Sequence, residues 1–183
     1  MDYTEQDVSS ILTALHLSAE KHRNQRRKDV ESTPYINHPI EVAELLWRIG
    51  NVRDISVIVA ALLHDIIEDT KIEPNEIASQ LGEAVLSLVL EVTDDKRLPK
   101  AERKRLQIEH APHLTEAAKQ IKLGDKICNV RDVANSPPKD WHSQRRREYL
   151  DWAEKVVDGL RGCNQPLEAF YDEIMRDGRT KLK

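Results

Sequence analysis

The segment "ALLHDIIEDT" places one histidine and three acids directly after an apolar run, Val57–Leu63. His64 and Asp65 are followed by Glu68 and Asp69, and residues four apart share one face of a helix. Burying such groups costs several kcal/mol unless a partner compensates them, and a divalent cation is one such partner. The alternative is a solvent-exposed last turn, where acids are unfavourable by ~0.3–1 kcal/mol because of the helix dipole.

Two further residues could join the same site. Asp125 lies in "QIKLGDKICNV" at helical spacing from Ile121 and Cys128, so it is either half of a buried ion pair or a ligand. His38 precedes Pro39 at the start of a predicted helix, where it is either a capping residue or a ligand. Taken one at a time, each of these residues is only a candidate metal ligand.

The composition indicates one helical domain. The chain has 183 residues, of which six are glycine and one is phenylalanine, a balance that favours helices over a β-sandwich or barrel. Its two cysteines have neither zinc-site nor disulfide spacing. The longest apolar run, Val57–Leu63, is far shorter than the ~20 residues of a membrane span. The first ten residues, "MDYTEQDVSS", do not resemble a secretory signal, so we expect no membrane contact and a cytoplasmic location.

Charge patterning bears on the ligand. The formal net charge of −4 argues against a nucleic-acid binder. Positive charge is nevertheless clustered in three segments, 21–28, 96–105 and 145–147. These clusters are either solvated helix faces or the walls of a site for a small polyanion. Composition by itself favours the first interpretation.

Helical periodicity recurs along the chain, and no alternating strand pattern is evident. We therefore predict an all-α protein, a single compact bundle of about eight to ten helices that forms one domain over residues 1–183, with a frayed tail at 178–183. In the first helix, Val8, Ile11, Leu12, Leu15 and Ala19 are predicted to form the buried face. Caps, prolines and glycines place the helices at about 4–23, 37–50, 54–69, 73–82, 82–94, 100–109, 115–133, 141–162 and 166–177.

Several strings together resemble a known enzyme family. His38, His64, Asp65 and Asp125 form the "H…HD…D" pattern of the HD phosphohydrolase superfamily. The strings "RRKDVESTPYINHP", "EVTDDKRLPKAERKRLQ" and "KLGDKICNVRD" are similar to the hydrolase domain of RelA/SpoT proteins, above all to stand-alone small alarmone hydrolases of the metazoan SpoT type. One departure is Gly124, where the family pattern "LADK" has alanine.

The resemblance implies an HD-type helical bundle and a stringent-response reaction. That reaction removes the 3′-pyrophosphate from the alarmone ppGpp or pppGpp, giving GDP or GTP and pyrophosphate. The four pattern residues would bind one manganese ion per chain, with iron or another divalent ion as an alternative. The resemblance places Glu68 and Asp69 at the catalytic water, either as acid and base or as support for the metal ligands.

The resemblance also implies substrate contacts. Arg27 and Lys28 match a loop that stacks on the base or binds phosphate, and Arg145 and Tyr149 match phosphate-binding positions four residues apart. Lys100 is a further candidate of this kind. Tyr35 either lines the same pocket or packs in the core. Asn129 either reaches a ribose or phosphate or bonds two helices together.

Two alternatives to this function remain. The first is another HD-type phosphohydrolase activity, above all removal of the 2′-phosphate of NADPH, which the same basic residues would accept. The second is a non-catalytic HD domain that senses nucleotides. All four predicted ligands and both acids are present in the sequence, which favours an enzyme. Oligomeric state is open.

Overall fold

Helices make up almost all of the regular structure. The computed structural model describes residues 3–182, and within that span it contains ten α-helices, a 3-10 helix at Ala111–His113 and no strand. The predicted all-α class is therefore confirmed. The α-helices are α1 Glu5–Lys21, α2 Asn37–Arg48, α3 Ile55–Leu63, α4 Ile66–Asp69, α5 Pro74–Leu81, α6 Glu83–Val92, α7 Lys100–His110, α8 Glu116–Asn135, α9 Ser143–Asp158 and α10 Gln165–Lys181.

Helix α3 lies at the centre of the bundle. Residues Val57–Leu63 are all buried, as expected of a helix that is apolar on every side. Helices α1, α2 and α6 pack around α3, while α9 and α10 pack on α8, which also contacts α2 and α3. The polar residues that follow α3 consequently emerge from the interior of the protein.

The predicted helix at 54–69 is divided in the structure. Helix α3 ends at Leu63, and α4 begins only at Ile66. The His64 backbone N–H bonds to the Ala61 carbonyl at 3.5 Å, which is the spacing of a 3-10 turn. Asp65 then has φ −103° and ψ −2°, outside ideal helical geometry. This break gives the adjacent His64 and Asp65 a relative orientation that a continuous helix would not allow.

Gly124 lies where α8 packs closely on α2. A methyl group at this position would lie 3.2 Å from Val42 Cγ1 and 3.3 Å from Leu46 Cδ2. The helix-weakening effect of a glycine, about 1 kcal/mol relative to alanine, is thus offset by tight packing. Gly124 thus lies in the contact between α8, which carries Asp125, and α2, which carries His38.

The predicted buried face of α1 is only partly correct. Val8 and Leu12 are 50% and 59% exposed, whereas Ala14 is fully buried. Ser18 is also buried. Small side chains at 14 and 18 face the core where α1 packs on α3, so the buried stripe does not follow the largest apolar residues.

The C-terminal segment is more ordered than predicted. Helix α10 continues to Lys181, and a methyl group at Gly178 would lie 3.2 Å from Ala134 Cβ. Leu182 is buried. The expectation of a frayed tail is therefore wrong for residues 178–182, because this turn packs on α8, while Lys183 lies outside the described residues. Within residues 3–182 no helix is both long enough and apolar enough to span a bilayer.

Candidate active site

The four predicted ligands come together from three parts of the chain. His38 lies in the first turn of α2, His64 and Asp65 follow α3, and Asp125 lies in the middle of α8. His38 Nε2 is 3.1 Å from Asp125 Oδ1, and His64 Nε2 is 3.1 Å from Asp65 Oδ2. The other two nitrogen–oxygen distances, His38 Nε2 to Asp65 Oδ2 and His64 Nε2 to Asp125 Oδ1, are 3.9 and 3.8 Å. His38, His64 and Asp65 each offer a donor atom within 4.8 Å of the other two, and Asp125 Oδ1 lies within 4 Å of both imidazole nitrogens.

The donor atoms fit a cation. His64 Nδ1 lies 2.8 Å from the Ala61 carbonyl oxygen, which can only accept, so Nδ1 carries a hydrogen. In the neutral ring, Nε2 then has a lone pair, and this buried atom has no hydrogen-bond partner among the described residues. This lone pair lies 3.1 and 3.8 Å from two carboxylate oxygens, an arrangement that is repulsive unless a cation lies between these atoms or Nε2 is itself protonated. Although burial lowers the pKa of His64, the neighbouring Asp65 raises it to about 9, which also indicates a site for positive charge.

Neighbouring side chains hold the two carboxylates in place. Tyr35 donates its hydroxyl hydrogen to Asp65 Oδ2 at 2.5 Å. Lys126 donates to Asp125 Oδ2 at 2.8 Å, and Asn129 donates to Asp125 Oδ1 at 2.5 Å. Such contacts fix the orientation of a metal-binding carboxylate.

The two predicted catalytic acids occupy different surroundings. Glu68 lines the cavity in front of the four ligands, and burial, followed by the charges of Asp65 and Asp94, raises its pKa to about 7. Asp69 is not in the cavity wall as far as the described residues show. Its carboxylate pairs with Lys96 and accepts a hydrogen bond of 2.6 Å from Gln25 Nε2.

A second polar chain supports Asp69. Gln25 must donate its amide hydrogen to the carboxylate, so Gln25 Oε1 is the acceptor for His22 Nδ1, at 2.7 Å. His22 is buried, and its ring lies against the Tyr35 ring with centroids 5.0 Å apart. The loop after α1 therefore connects to both Asp65 and Asp69.

The site opens into a charged cavity of about 240 Å³. Cations and carboxylates both line its wall, together with the aromatic side chains of Tyr35, Tyr149 and Trp152. The cations are Lys100, Arg103, Lys104, Lys122 and Lys126, and the carboxylates are Asp65, Glu68, Asp94 and Asp125. A cavity of this size and charge suits a small polyanion.

Some of the predicted substrate residues line the cavity, and the others lie outside its wall. Tyr35, Lys100, Asn129 and Tyr149 line the cavity. Arg27 donates to Asn129 Oδ1 at 3.0 Å and pairs with Asp132, and its guanidinium carbon lies 5.7 Å from the centre of the Tyr35 ring.

Lys28 and Arg145 are not in the cavity wall within the described residues, but both lie near it. Burial, then the charges of Arg145 and Lys28, lower the pKa of Lys100. Arg145 lies over the Trp141 ring at 4.5 Å and pairs with Asp140 at 3.5 Å. Both cations are therefore close enough to contribute to the field at the cavity mouth.

Sequence reasoning missed several wall residues: Arg103, Lys104, Lys122, Lys126 and Trp152. Two of them carried a usable signal. Lys104 is four residues after Lys100 on the same helix, so the two side chains share a face. Lys126 directly follows Asp125, and its burial requires a charged partner.

Comparison with known proteins agrees with this geometry. A model of the HD domain family matches residues 14–152. The chain is 52% identical over 171 residues to guanosine-3′,5′-bis(diphosphate) 3′-pyrophosphohydrolase MESH1 of Xenopus tropicalis, covering 93% of this chain and 96% of the relative. It is 51% identical over 170 residues to the Homo sapiens protein of the same name, with 93% and 95% covered.

The fold agrees as well. One solved structure is described as a metazoan ortholog of SpoT that hydrolyzes ppGpp and plays a role in starvation responses. It matches with a TM-score of 0.91 and 46% identity, covering 96% of this chain and 97% of that chain. The family model, the MESH1 relatives and this structure all cover the segments that carry the four converging side chains. The chain therefore belongs to the HD-domain family, and the MESH1 proteins are among its relatives.

Proposed function

We propose that this protein is a metal-dependent hydrolase that removes the 3′-pyrophosphate of ppGpp or pppGpp, giving GDP or GTP and pyrophosphate. Relatives that are 52% and 51% identical over nearly their whole length are named for the ppGpp reaction. The observation that carries the proposal is the convergence of His38, His64, Asp65 and Asp125 at a cavity lined by cations.

We propose those four side chains as the ligands of one divalent ion. The unpartnered His64 Nε2, directed at two carboxylate oxygens, supports this assignment. We propose manganese, with iron as the alternative, because two imidazoles and two carboxylates suit a divalent ion of this kind better than a site rich in sulfur ligands would. When bound, such an ion acidifies water and polarises a phosphoryl oxygen.

Glu68 and Asp69 would transfer protons and orient the water in the reaction. The attacking water oxygen bonds to the inner phosphorus of the 3′-diphosphate, the bond from phosphorus to O3′ breaks, and O3′ gains a proton. Glu68, in the cavity wall with a pKa of about 7, is suited to accept a proton from water and to return one to O3′. Asp69 is held by Gln25 and Lys96, so we propose that it orients the water.

The cavity wall would hold the rest of the nucleotide. We propose that Tyr35, Asn129, Lys100 and Tyr149 contact the substrate directly. Arg27 and Lys28 would contact the base or a phosphate at the loop before α2, and Arg145 would bind phosphate at the mouth. A cavity of about 240 Å³ favours a small nucleotide over a nucleic acid.

Two wider proposals accompany this function. We propose that residues 1–183 form a single HD domain, because α9 and α10, which extend beyond the matched segment 14–152, pack on α8. We also propose a cytoplasmic location, because Cys128 and Cys163 are buried and form no disulfide within the described residues.

A substrate panel tests the reaction. Manganese-loaded protein is incubated with ppGpp, pppGpp, NADPH and a nucleoside monophosphate, and the release of pyrophosphate and of orthophosphate is measured separately. We expect pyrophosphate from the first two substrates. Faster release of orthophosphate from NADPH would make the 2′-phosphatase the main activity, and tight binding of ppGpp without turnover would indicate a sensor. Chelated protein is the control and should be inactive.

A further inference from the structure

Lys104 differs from most other cations of the cavity wall. Arg103, Lys122 and Lys126 each form an ion pair with a carboxylate. Among the described residues Lys104 forms none, although it lies in the same wall. Glu148 is near enough to favour the charge of Lys104 but does not form an ion pair with it. A half-buried ammonium group with no carboxylate in contact is unfavourable, so its position requires a reason.

Trp152 contacts both the backbone carbonyl and the ammonium group of Lys104. The indole Nε1 of Trp152 donates a hydrogen bond of 3.0 Å to the Lys104 carbonyl oxygen. The Lys104 Nζ atom lies 4.4 Å from the centre of the same ring, within the range of a cation–π contact. The ammonium group is therefore positioned before any ligand arrives, which reduces the entropy lost on binding.

Lys104 lies next to the proposed metal centre. The Nζ atom of Lys126 is 5.0 Å from the Trp152 ring centre, so both ammonium groups lie close to one indole. Lys126 in turn donates to Asp125 at 2.8 Å. Besides burial, the charges of Lys100 and Lys126 lower the pKa of Lys104, so these like charges are close enough to repel. An anion between them would relieve that repulsion.

We propose that Lys104, with Lys126 beside it, binds the outer phosphate of a 3′-diphosphate and so makes the protein prefer diphosphate to monophosphate esters. This inference rests on the proposed function, in which the inner phosphorus lies at the four-ligand centre. Lys126 contacts Asp125, and Lys104 lines the same cavity and shares the Trp152 ring with Lys126, so both cations are available to a phosphate next to that centre. A 2′-monophosphate such as that of NADPH has no outer phosphate to reach Lys104.

Binding of inorganic anions tests the subsite without turnover. Manganese-loaded wild type, Lys104→Gln and Lys104→Met are titrated with pyrophosphate and with orthophosphate by calorimetry. Both variants should bind pyrophosphate about tenfold more weakly and orthophosphate with less than about threefold change, because only pyrophosphate has a second phosphate to pair with. Lys104→Met keeps the aliphatic stem on Trp152, and Arg105→Gln, on the same helix outside the cavity wall, is the charge-matched control.

Selectivity provides the second measurement. The ratio of kcat/KM for ppGpp to that for NADPH should fall about tenfold in both Lys104 variants and remain unchanged in Arg105→Gln. Unchanged pyrophosphate affinity, or an equal loss for both anions, would overturn the subsite. If wild type does not hydrolyse ppGpp, the proposed function fails, and the anion titration still decides whether Lys104 recognises a second phosphate. Manganese content and circular dichroism verify that each variant is folded and loaded.

Discussion

His64 and Asp125 each use one polar atom to hold their orientation and direct another at the proposed metal centre. His64 Nδ1 is bound to the Ala61 carbonyl, and Asp125 Oδ2 accepts from Lys126. Because both side chains are buried, a substitution would disturb charge balance as well as ligation. Effects on metal affinity and on stability must therefore be measured separately at these positions.

Replacing Asp125 with asparagine should affect both properties. The amide is a poorer ligand and leaves the buried Lys126 without its carboxylate. We expect the purified variant to retain little manganese, and its free energy of unfolding without metal to fall by about 3 kcal/mol. Elemental analysis and urea titration measure the two effects.

The matched control for that variant is Asp151→Asn, which removes an exposed carboxylate paired with Arg179. It should bind manganese normally and lose less than about 1 kcal/mol of stability. Full manganese retention by Asp125→Asn would remove Asp125 from the ligand set.

The chain from His22 through Gln25 to Asp69 allows a second prediction at this scale. Gln25→Leu removes the 2.6 Å hydrogen bond to Asp69 and replaces the amide side chain with an apolar one of similar size. If Asp69 orients the water, kcat should fall about tenfold to a hundredfold, because small misplacements of a catalytic group are costly. KM and manganese content should change little. The exposed Gln80→Leu is the control, and an unaltered kcat would show that Gln25 does not position Asp69.

At the scale of elements, the site depends on where helices end and how closely they approach. The break after Leu63 orients His64 and Asp65, and the close packing of α8 on α2 brings Asp125 to His38. Helix α7 supplies the cavity cations Lys100 and Lys104, and α9 supplies Tyr149 and Trp152. The relative position of α7 and α9 therefore shapes the cavity.

Gly159, which caps the end of α9, packs tightly against the segment that follows α7. A methyl group here would lie 2.8 Å from Ala111 Cβ and 2.9 Å from Pro112 Cδ, in the 3-10 helix that follows α7. Because these are not flexible side-chain ends, Gly159→Ala should destabilise the protein by about 1–3 kcal/mol. Chemical denaturation measures the loss, with the exposed neighbour Asp158→Ala as the control. Equal stability of the two variants would contradict this tight contact.

At the scale of the whole molecule, the proposed metal would connect three parts of the bundle. Its ligands lie in α2, after α3 and in α8. Two of them, His38 and Asp125, are 87 residues apart in the sequence. The formal charge is −4, and five of the 28 lysine and arginine residues line the cavity, where a polyanion would bind, beside four carboxylates. Binding of metal to these segments should stabilise the folded state, in which alone they meet.

Manganese should therefore raise the melting temperature. At a hundredfold excess over Kd the stabilisation is about 2.7 kcal/mol, and for a chain of this size that corresponds to a shift of roughly 5–10 °C. Differential scanning fluorimetry with and without chelator measures the shift. It should disappear in Asp125→Asn and persist in Gln25→Leu, so a shift that survives in the first variant would place the metal elsewhere.

The sequence by itself determined the helical class, the order of the helices and the residue types of the site. Periodicity, caps and breakers act over a few residues, so the junction at Gly82 and the start of α7 after Pro99 agree with the structure. The resemblance added the set of His38, His64, Asp65 and Asp125 and the reaction. It did not distinguish Glu68 in the cavity wall from Asp69 bound to Gln25.

Only the tertiary structure decided which residues share the cavity. The break at His64, the buried face of α1 and the ordered end of α10 all depend on packing against segments distant in sequence. Lys104 and Lys126 illustrate the reason. Their roles follow from Trp152 and Asp125, and whether a charged side chain is solvated or enclosed depends on neighbours that local sequence does not specify.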